Sequence, residues 1–221
     1  VNDRHSQFVI ENTVVTDASL VPEVLLHLAT EVTPLWQASE QTLQTNGLPP
    51  PYWAFAWPGG QAFARLMLDK PEVARGRIVL DFAAGSGIAG IAAVKSGAAR
   101  VVASEIDAFA LAALKLNCDL NAVKIDITDK DLLNDAPAGW DLILAGDVCY
   151  ERPMASRVLA WLDQAAAAGI EVLVADPGRA YLPKGGLTEL ARYDIPTSLD
   201  LENRKMMTTV IYRYAQQGPA S

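Results

Sequence analysis

Cysteine is close to absent from this 221-residue chain, which has only Cys118 and Cys149. The two are far apart and lack CxxC or Cys/His spacing, so neither a zinc site nor a disulfide framework is expected, and no bound metal. They read as buried, reduced thiols of a cytoplasmic protein. Histidine is as scarce: His5 and His27 stand outside any motif, and His27 reads as surface or core filler rather than a base. No uninterrupted run of about eighteen apolar residues occurs, which excludes an ordinary membrane-spanning helix. The opening "VNDRHSQFVIENTVV" lacks the positive segment and long apolar stretch of a signal peptide. Val1 stands where an initiator Met is usual, and reads as a trimmed or engineered start. Positive charge is in deficit: 18 Lys and Arg against 26 Asp and Glu leave a net charge of −8. That balance opposes a broad phosphate-binding face, so neither nucleic acid nor membrane is an expected partner. A cationic or protein substrate suits it better.

What remains is an ordinary globular composition, 51% hydrophobic and 20% charged, long enough for one domain with a sizeable core. Internal repeats and low-complexity segments are missing. Residues 20–30, "LVPEVLLHLAT", predict a short helix with Ser19 as cap and Pro22 in the first turn. "QTNGLPPPYWAFAWPGG" (44–60) predicts a structured, aromatic-rich approach loop, and 59–70 a helix with Phe63, Leu66 and Met67 on one face. From Arg77 strands and helices alternate. Strands are expected at 77–82, 100–106, 123–128, 140–147 and 170–176, with helices at 87–97, 108–122 and 153–168. Asp107 is the expected cap of the second of these helices. Residues 185–193 read as one more helix, followed by strands "DIPTSLDL" and "MMTTVIYRY" with no room for a crossover between them. The expected fold is therefore α/β: a Rossmann-like, doubly wound sheet of seven strands, mostly parallel, closed by a C-terminal antiparallel hairpin, with helices on both faces.

The chemistry is concentrated in "LDFAAGSGIAG" (80–90). Gly85, Gly87 and Gly90 make the G-x-G-x-x-G of a dinucleotide loop, where backbone N–H groups and a helix N-terminus approach an adenosine cofactor. Asp81 argues against a phosphate there. A carboxylate would oppose pyrophosphate but suit S-adenosylmethionine (SAM), which has an ammonium, a sulfonium and no phosphate. SAM is therefore favoured over NAD, and Gly90 is explained as a small residue against the sheet. Glu105, twenty residues past Gly85, stands where an acid accepts hydrogen bonds from ribose hydroxyls; it does not separate the two cofactors. Ser86 completes the loop and Ile106 follows Glu105. "DKDLLN" (129–134) is expected beside the adenine, with Asp131 the residue named from it.

With these residues in hand, the sequence resembles the seven-β-strand SAM-dependent methyltransferases from about Tyr52 to the terminal strands. "LDFAAGSG", "ASEID" and "DLILAGDVCYE" match their successive motifs. Within them, Asp147-Val-Cys-Tyr150 matches the D-x-x-Y of a protein-lysine methyltransferase group. "PPPYWAFAWPGGQAFARLMLD" and "ENRKMMTTVIYRY" are most similar to the electron transfer flavoprotein β-subunit lysine methyltransferases and their bacterial relatives. The resemblance implies Trp57 near the cofactor, Gly146 bordering its pocket, and a protein acceptor: the β subunit of electron transfer flavoprotein, with ribosomal proteins as a further class. It also implies a monomeric cytoplasmic enzyme.

Strands one and four flank the crevice where open α/β sheets bind ligands, so the SAM methyl should point at Asp147–Tyr150. A lysine ammonium has no lone pair, and deprotonating it at pH 7 costs roughly 4–5 kcal/mol. Asp147 is expected to accept a hydrogen bond from the amine and aim it, and Tyr150 to line its channel; the simpler role for Asp147 is to cap the following helix. Glu151 reads as a solvated second acid. Trp53, Phe55 and Trp57 pack an N-terminal wall or line the site. Residues 1–58 are read as a helical and loop extension contributing that wall, and 59–221 as the methyltransferase domain. "PPPY" (49–52) resembles both the proline motif of nucleic-acid amino-methylating enzymes and a proline-rich ligand, but no polar residue or strand precedes it. The remaining alternatives are a small-molecule amine N-methyltransferase and a SAM-binding module without chemistry.

Overall fold

The computed structural model describes residues 3–31, 33, 35, 49–197 and 205–216. It opens with helix α1 (Asp3–Asn12) and strands β1 (Val14–Ala18) and β2 (Val21–Leu28). The aromatic segment follows as a short 3-10 turn, Tyr52–Ala54, leading into α2 (Pro58–Asp69). Then β3 (Ile78–Phe82), α3 (Ile88–Lys95), β4 (Arg100–Ser104), α4 (Ala108–Leu120), β5 (Asp126–Thr128), β6 (Leu142–Gly146), α5 (Arg152–Ala167) and β7 (Glu171–Asp176) alternate as expected. Strands β8 (Leu187–Pro196) and β9 (Met206–Tyr214) close the chain. The main sheet runs β5-β4-β3-β6-β7-β9-β8, with β3 to β7 parallel and β9 antiparallel to both neighbours. The seven-stranded, mostly parallel fold with a terminal hairpin is the one expected.

Period-two alternation divides the strand residues between two cores. Val79, Leu142, Leu144 and Leu173 face Phe63, Leu66 and Met67 of α2 and Ile91 of α3. Leu80, Phe82, Ile143 and Val174 face Val158, Trp161 and Leu162 of α5, where Phe82 stacks on Trp161 at 5.4 Å. Strands buried on both faces have no polar side to alternate, which is why they read as continuous apolar runs. Cys118 and Cys149 are buried, unbridged thiols, both pushed up to about 12 by burial. No described helix is long and apolar enough to cross a membrane.

Two expected helices are strands. Residues 20–30 belong to the β1–β2 hairpin, in register from Val14 opposite Leu28 to Asp17 opposite Leu25. Val24, Leu26 and Leu28 bury at period two, a pattern the helical reading passed over. A tertiary partner decides the matter: α4 and its C-cap present two asparagines, Asn117 and Asn121, one turn apart, to the outer edge of β2. Asn121 Oδ1 accepts from Leu25 N and its Nδ2 donates to Leu25 O, while Asn117 Oδ1 accepts from His27 N at 2.7 Å. The side chains stand in for a third strand and satisfy backbone groups that a lone hairpin leaves open. His27 is a core residue here, bonded through Nδ1 to the Thr13 hydroxyl at 3.1 Å, with its pKa lowered by burial. The other is the helix expected at 185–193: from Leu187 to Pro196 the chain is β8, paired with β9 around one irregularity between Glu189 and Ala191. The strand expected at 194–201 therefore begins earlier and ends at Pro196; residues 198–201, like 44–48 of the approach loop, lie outside the described residues.

Candidate active site

A cleft of about 700 Å³ opens at the carboxyl ends of β3, β4 and β6, at the switch point where the sheet reverses its strand order. Its size lies within the range of small-molecule and cofactor sites. Of the residues singled out from the sequence, Trp57, Asp81, Gly85, Ser86, Glu105, Ile106, Asp131, Gly146, Asp147 and Tyr150 all line it. Gly87 does not. It caps α3 at φ +78°, where an added Cβ would collide with Leu114, so its role is packing.

The floor is the turn after β3. Ala83 and Gly85 both take the left-handed conformation, each with φ +53°. The alanine there holds a conformation that costs an L-residue roughly 1–2 kcal/mol. Glu105, at the end of β4, secures this turn: Oε2 accepts from Gly85 N at 3.1 Å, and Oε1 from Ile106 N and Asp107 N. A carboxylate has about four acceptor positions, so Glu105, which lines the cleft, keeps acceptor capacity. Burial raises the Glu105 pKa, against the pull of those N–H groups. Asp81 is 5% exposed, and its Oδ2 accepts from Gly90 N at 2.8 Å. Burial pushes it up to about 7, with Glu105 adding repulsion. Gly90 is indeed a packing glycine: a Cβ would lie 3.0 Å from Asp81 Oδ2 and 3.3 Å from Ile125. Asp107 caps α4 as expected, accepting from Phe109 N. Asp131 reaches the cleft with both oxygens engaged, one by Leu133 N and one by Arg157 at 2.9 Å, which lowers its pKa.

The far wall is aromatic. The Tyr52 ring lies 5.6 Å from Tyr150 and 6.0 Å from Trp57, and Phe55 lies 5.8 Å from Trp57. Trp57 Nε1 donates to the Tyr52 carbonyl at 2.7 Å, fixing the turn. Trp53 is buried with Val9, Ala110 and Ala113 and also borders the cleft, so packing and lining coincide in it. Tyr150 is 39% exposed, and burial raises its pKa.

Asp147 sits just past β6 with φ +53°, its backbone N–H bonded to Ala175 O at 3.0 Å. Its Oδ2 accepts from Gly59 N at 2.5 Å, and its Oδ1 lies 3.5 Å from Arg179 Nη2. The capping role therefore goes to a different helix than expected. The N-cap of α5 is Glu151, which makes no side-chain capping bond, whereas Asp147 holds the N-terminus of α2. This depends on two bare positions: a Cβ on Gly59 would meet Asp147 Oδ2 at 2.5 Å, and one on Gly146 would meet Gly59 C at 3.3 Å. Arg179 was missed by sequence reasoning, although "DPGR" at the end of a central parallel strand was a usable signal. Asn117 was also missed. It is 0% exposed, and its Nδ2 donates to Ser86 O at 2.8 Å, tying the hairpin to the glycine turn. A lone polar residue in the apolar face of α4 was its signal.

Among the described residues, six carboxylates line the cleft (Asp81, Glu105, Asp107, Asp131, Asp147, Glu151) against three cations, Lys130, Arg157 and Arg179. A ligand bearing positive charge suits that field, and a pyrophosphate does not.

Comparison with known proteins agrees. Residues 65–148 match the family described as Ribosomal protein L11 methyltransferase (PrmA). The chain is similar to the electron transfer flavoprotein beta subunit lysine methyltransferase of Danio rerio, at 39% identity over 96% of this chain and 84% of that one. The Homo sapiens protein of the same name is 36% identical over 94% and 80%. The fold is shared with the ribosomal protein L11 methylase of Lactobacillus delbrueckii subsp. bulgaricus, at a TM-score of 0.51 and 22% identity, covering 72% of this chain and 81% of that one. With that identity sustained over nearly its whole length, the chain belongs to the electron transfer flavoprotein beta subunit lysine methyltransferase family.

Proposed function

We propose that this protein transfers a methyl group from SAM to the side-chain nitrogen of a lysine in the β subunit of electron transfer flavoprotein. The observation that carries this reading is the pairing of two features in one cleft. An acid-rich, phosphate-averse floor lies at β3 and β4, and a fixed carboxylate, Asp147, lies beside an aromatic wall at the end of β6. The floor fits SAM by its donor set. Glu105 keeps acceptor capacity, Asp81 offers a buried carboxylate, the turn at Gly85 and Ser86 brings backbone close, and Ile106, Asp131, Trp57 and Gly146 complete the enclosure. SAM bound there would supply a sulfonium-activated methyl carbon, with sulfur as the leaving group that keeps the C–S electron pair.

The protein's own residues do the rest. Asp147, with Oδ2 holding α2 and Oδ1 facing Arg179, is the carboxylate that receives a hydrogen bond from the substrate amine and directs its lone pair. Tyr150 and Tyr52 enclose the lysine stem, and their ring faces favour its cationic head on arrival. Residues 1–58 act as an extension that supplies the aromatic wall to the catalytic region, 59–221. The reading carries with it a monomeric cytoplasmic enzyme without nucleic-acid or membrane partners, consistent with the net charge of −8.

The test is transfer of isotope-labelled methyl from SAM by the purified protein to recombinant β subunit, with ribosomal proteins and free amines as parallel acceptors. Mass spectrometry should locate the label on lysine in the β subunit. Label on a non-lysine residue, or transfer to free amines alone, would overturn the assignment.

A further inference from the structure

We propose that Arg179 makes the incoming lysine nucleophilic: its guanidinium holds a fixed positive charge at the oxygen of Asp147 where the lysine ammonium must bind, and so drives that ammonium to release its proton. The inference rests on the lysine-methylation reading above, and assigns the deprotonation that reading leaves open.

Arg179 is placed deliberately. Asp176, the last residue of β7, is 1% exposed, and its Oδ1 accepts from Gly178 N at 2.7 Å and Arg179 N at 2.6 Å. Gly178, at φ +92°, completes the turn. The guanidinium is thereby aimed back along the sheet at its neighbour β6, where Nη2 lies 3.5 Å from Asp147 Oδ1. Side-chain exposure is 22% for Arg179 and 12% for Asp147, so the pair is shielded but reachable from the cleft. The contact is at the outer limit of a hydrogen bond, loose enough for an amine to share the same oxygen.

Charge decides the chemistry. Asp147 alone would stabilise the ammonium and raise the lysine pKa, the wrong direction for a nucleophile. A guanidinium on the same carboxylate cancels that stabilisation and cannot itself titrate. A unit charge about 6 Å away, at an effective dielectric of about 20, is worth about one to two pKa units once partial screening is included. The lysine then loses its proton to water at the cleft mouth, and the freed lone pair forms the N–C bond while the guanidinium stays protonated.

Other ionisable groups face this corner. Cys149 is pushed up to about 12 by burial, and Tyr150 is raised, so both stay neutral near pH 8. Glu151 and Tyr52 line the mouth, and Asp176 is bonded beneath. Across the cleft stand Glu105, Asp107, Asp131, Lys130 and Arg157, and Asp81, which titrates near 7. All of these remain in each protein compared below, so a difference between variants isolates Arg179.

The experiment is the single-turnover methylation rate against pH, from 6 to 9.5, for wild type, Arg179→Gln and Arg179→Lys. SAM and enzyme are held in saturating excess over the β subunit, and SAM affinity is measured on the same samples. The Gln variant should shift the rising limb upward by about one pH unit. It should be about tenfold slow at pH 7 and within about threefold of wild type at 9.5. The Lys variant, which keeps the charge, should hold the wild-type midpoint even if its rate is lower throughout. A Gln profile lowered equally at every pH would overturn the proposal, as would a Lys profile displaced as far as Gln. A wild type that methylates no lysine would instead overturn the functional reading itself.

Discussion

Replacing Asp81 by Asn should stabilise the ligand-free protein at neutral and alkaline pH while weakening its hold on SAM. Burial of the Asp81 carboxylate pushes its pKa up to about 7, from 3.8 in an exposed chain. A carboxyl whose pKa is raised on folding binds more protons folded than unfolded. Stability from this group is therefore fully present below about pH 4, falls as pH rises toward 7, and is flat above. A shift of about three units corresponds to about 4 kcal/mol for holding the ionised form. Water entering the open cleft when Asp81 ionises relieves part of this, so about 2 kcal/mol is the expected gain for the neutral Asn at pH 8. The amide oxygen can still accept from Gly90 N. For a chain of this length, about 2 kcal/mol raises Tm by about 4–8 °C. Thermal unfolding of both proteins from pH 5.5 to 8.5 should show Asn gaining on Asp until about pH 7 and then holding. Calorimetric titration should show SAM bound at least about tenfold more weakly by the variant, because the ligand's ammonium loses its counter-charge. A variant that is less stable than wild type by a constant margin across the range would refute the reasoning, since Asp81 would then be an ordinary satisfied carboxylate.

Asp147→Asn should lower methyl transfer about 10²- to 10³-fold while leaving SAM affinity within about threefold, as measured by single turnover and calorimetry. Its amide oxygen can still cap Gly59 N, but the NH2 then faces Arg179 in place of a carboxylate oxygen, so Tm should fall rather than hold. Asn117→Leu strands two backbone groups, His27 N–H and Ser86 C=O, at a cost of about 1–3 kcal/mol each. Urea unfolding should register a loss of about 2–6 kcal/mol, and SAM affinity should fall with it, because the glycine turn loses its brace.

How much the sequence disclosed follows from where each signal lies. The parallel strands were legible because burial on both faces leaves unbroken apolar runs, and Gly85, Asp81 and Glu105 were legible because turn chemistry is local. The β1–β2 hairpin was not, since "LVPEVLLHLAT" satisfies a helical and a strand pattern equally, and the deciding partner, α4, lies some ninety residues away. Strand β8 was misread for the same reason, its pairing with β9 being a non-local fact. The aspartate after β6 was identifiable from its motif. What holds it was not, because Gly59 and Arg179 come from separate stretches that only the fold brings to it.

The bare Cα of Gly59 constrains how this protein can change over time. Its missing side chain is the space that Asp147 Oδ2 occupies, eighty-eight residues further along the chain. Drift at position 59 is therefore drift in the carboxylate proposed to meet the substrate amine. A lineage that acquires even a methyl there must move its acid, surrender it, or rebuild the end of β6 in the same step. In an inherited set of sequences the two positions should behave as a single unit, and an alanine at 59 should mark a chain that has left this chemistry, even where its D-x-x-Y motif survives intact.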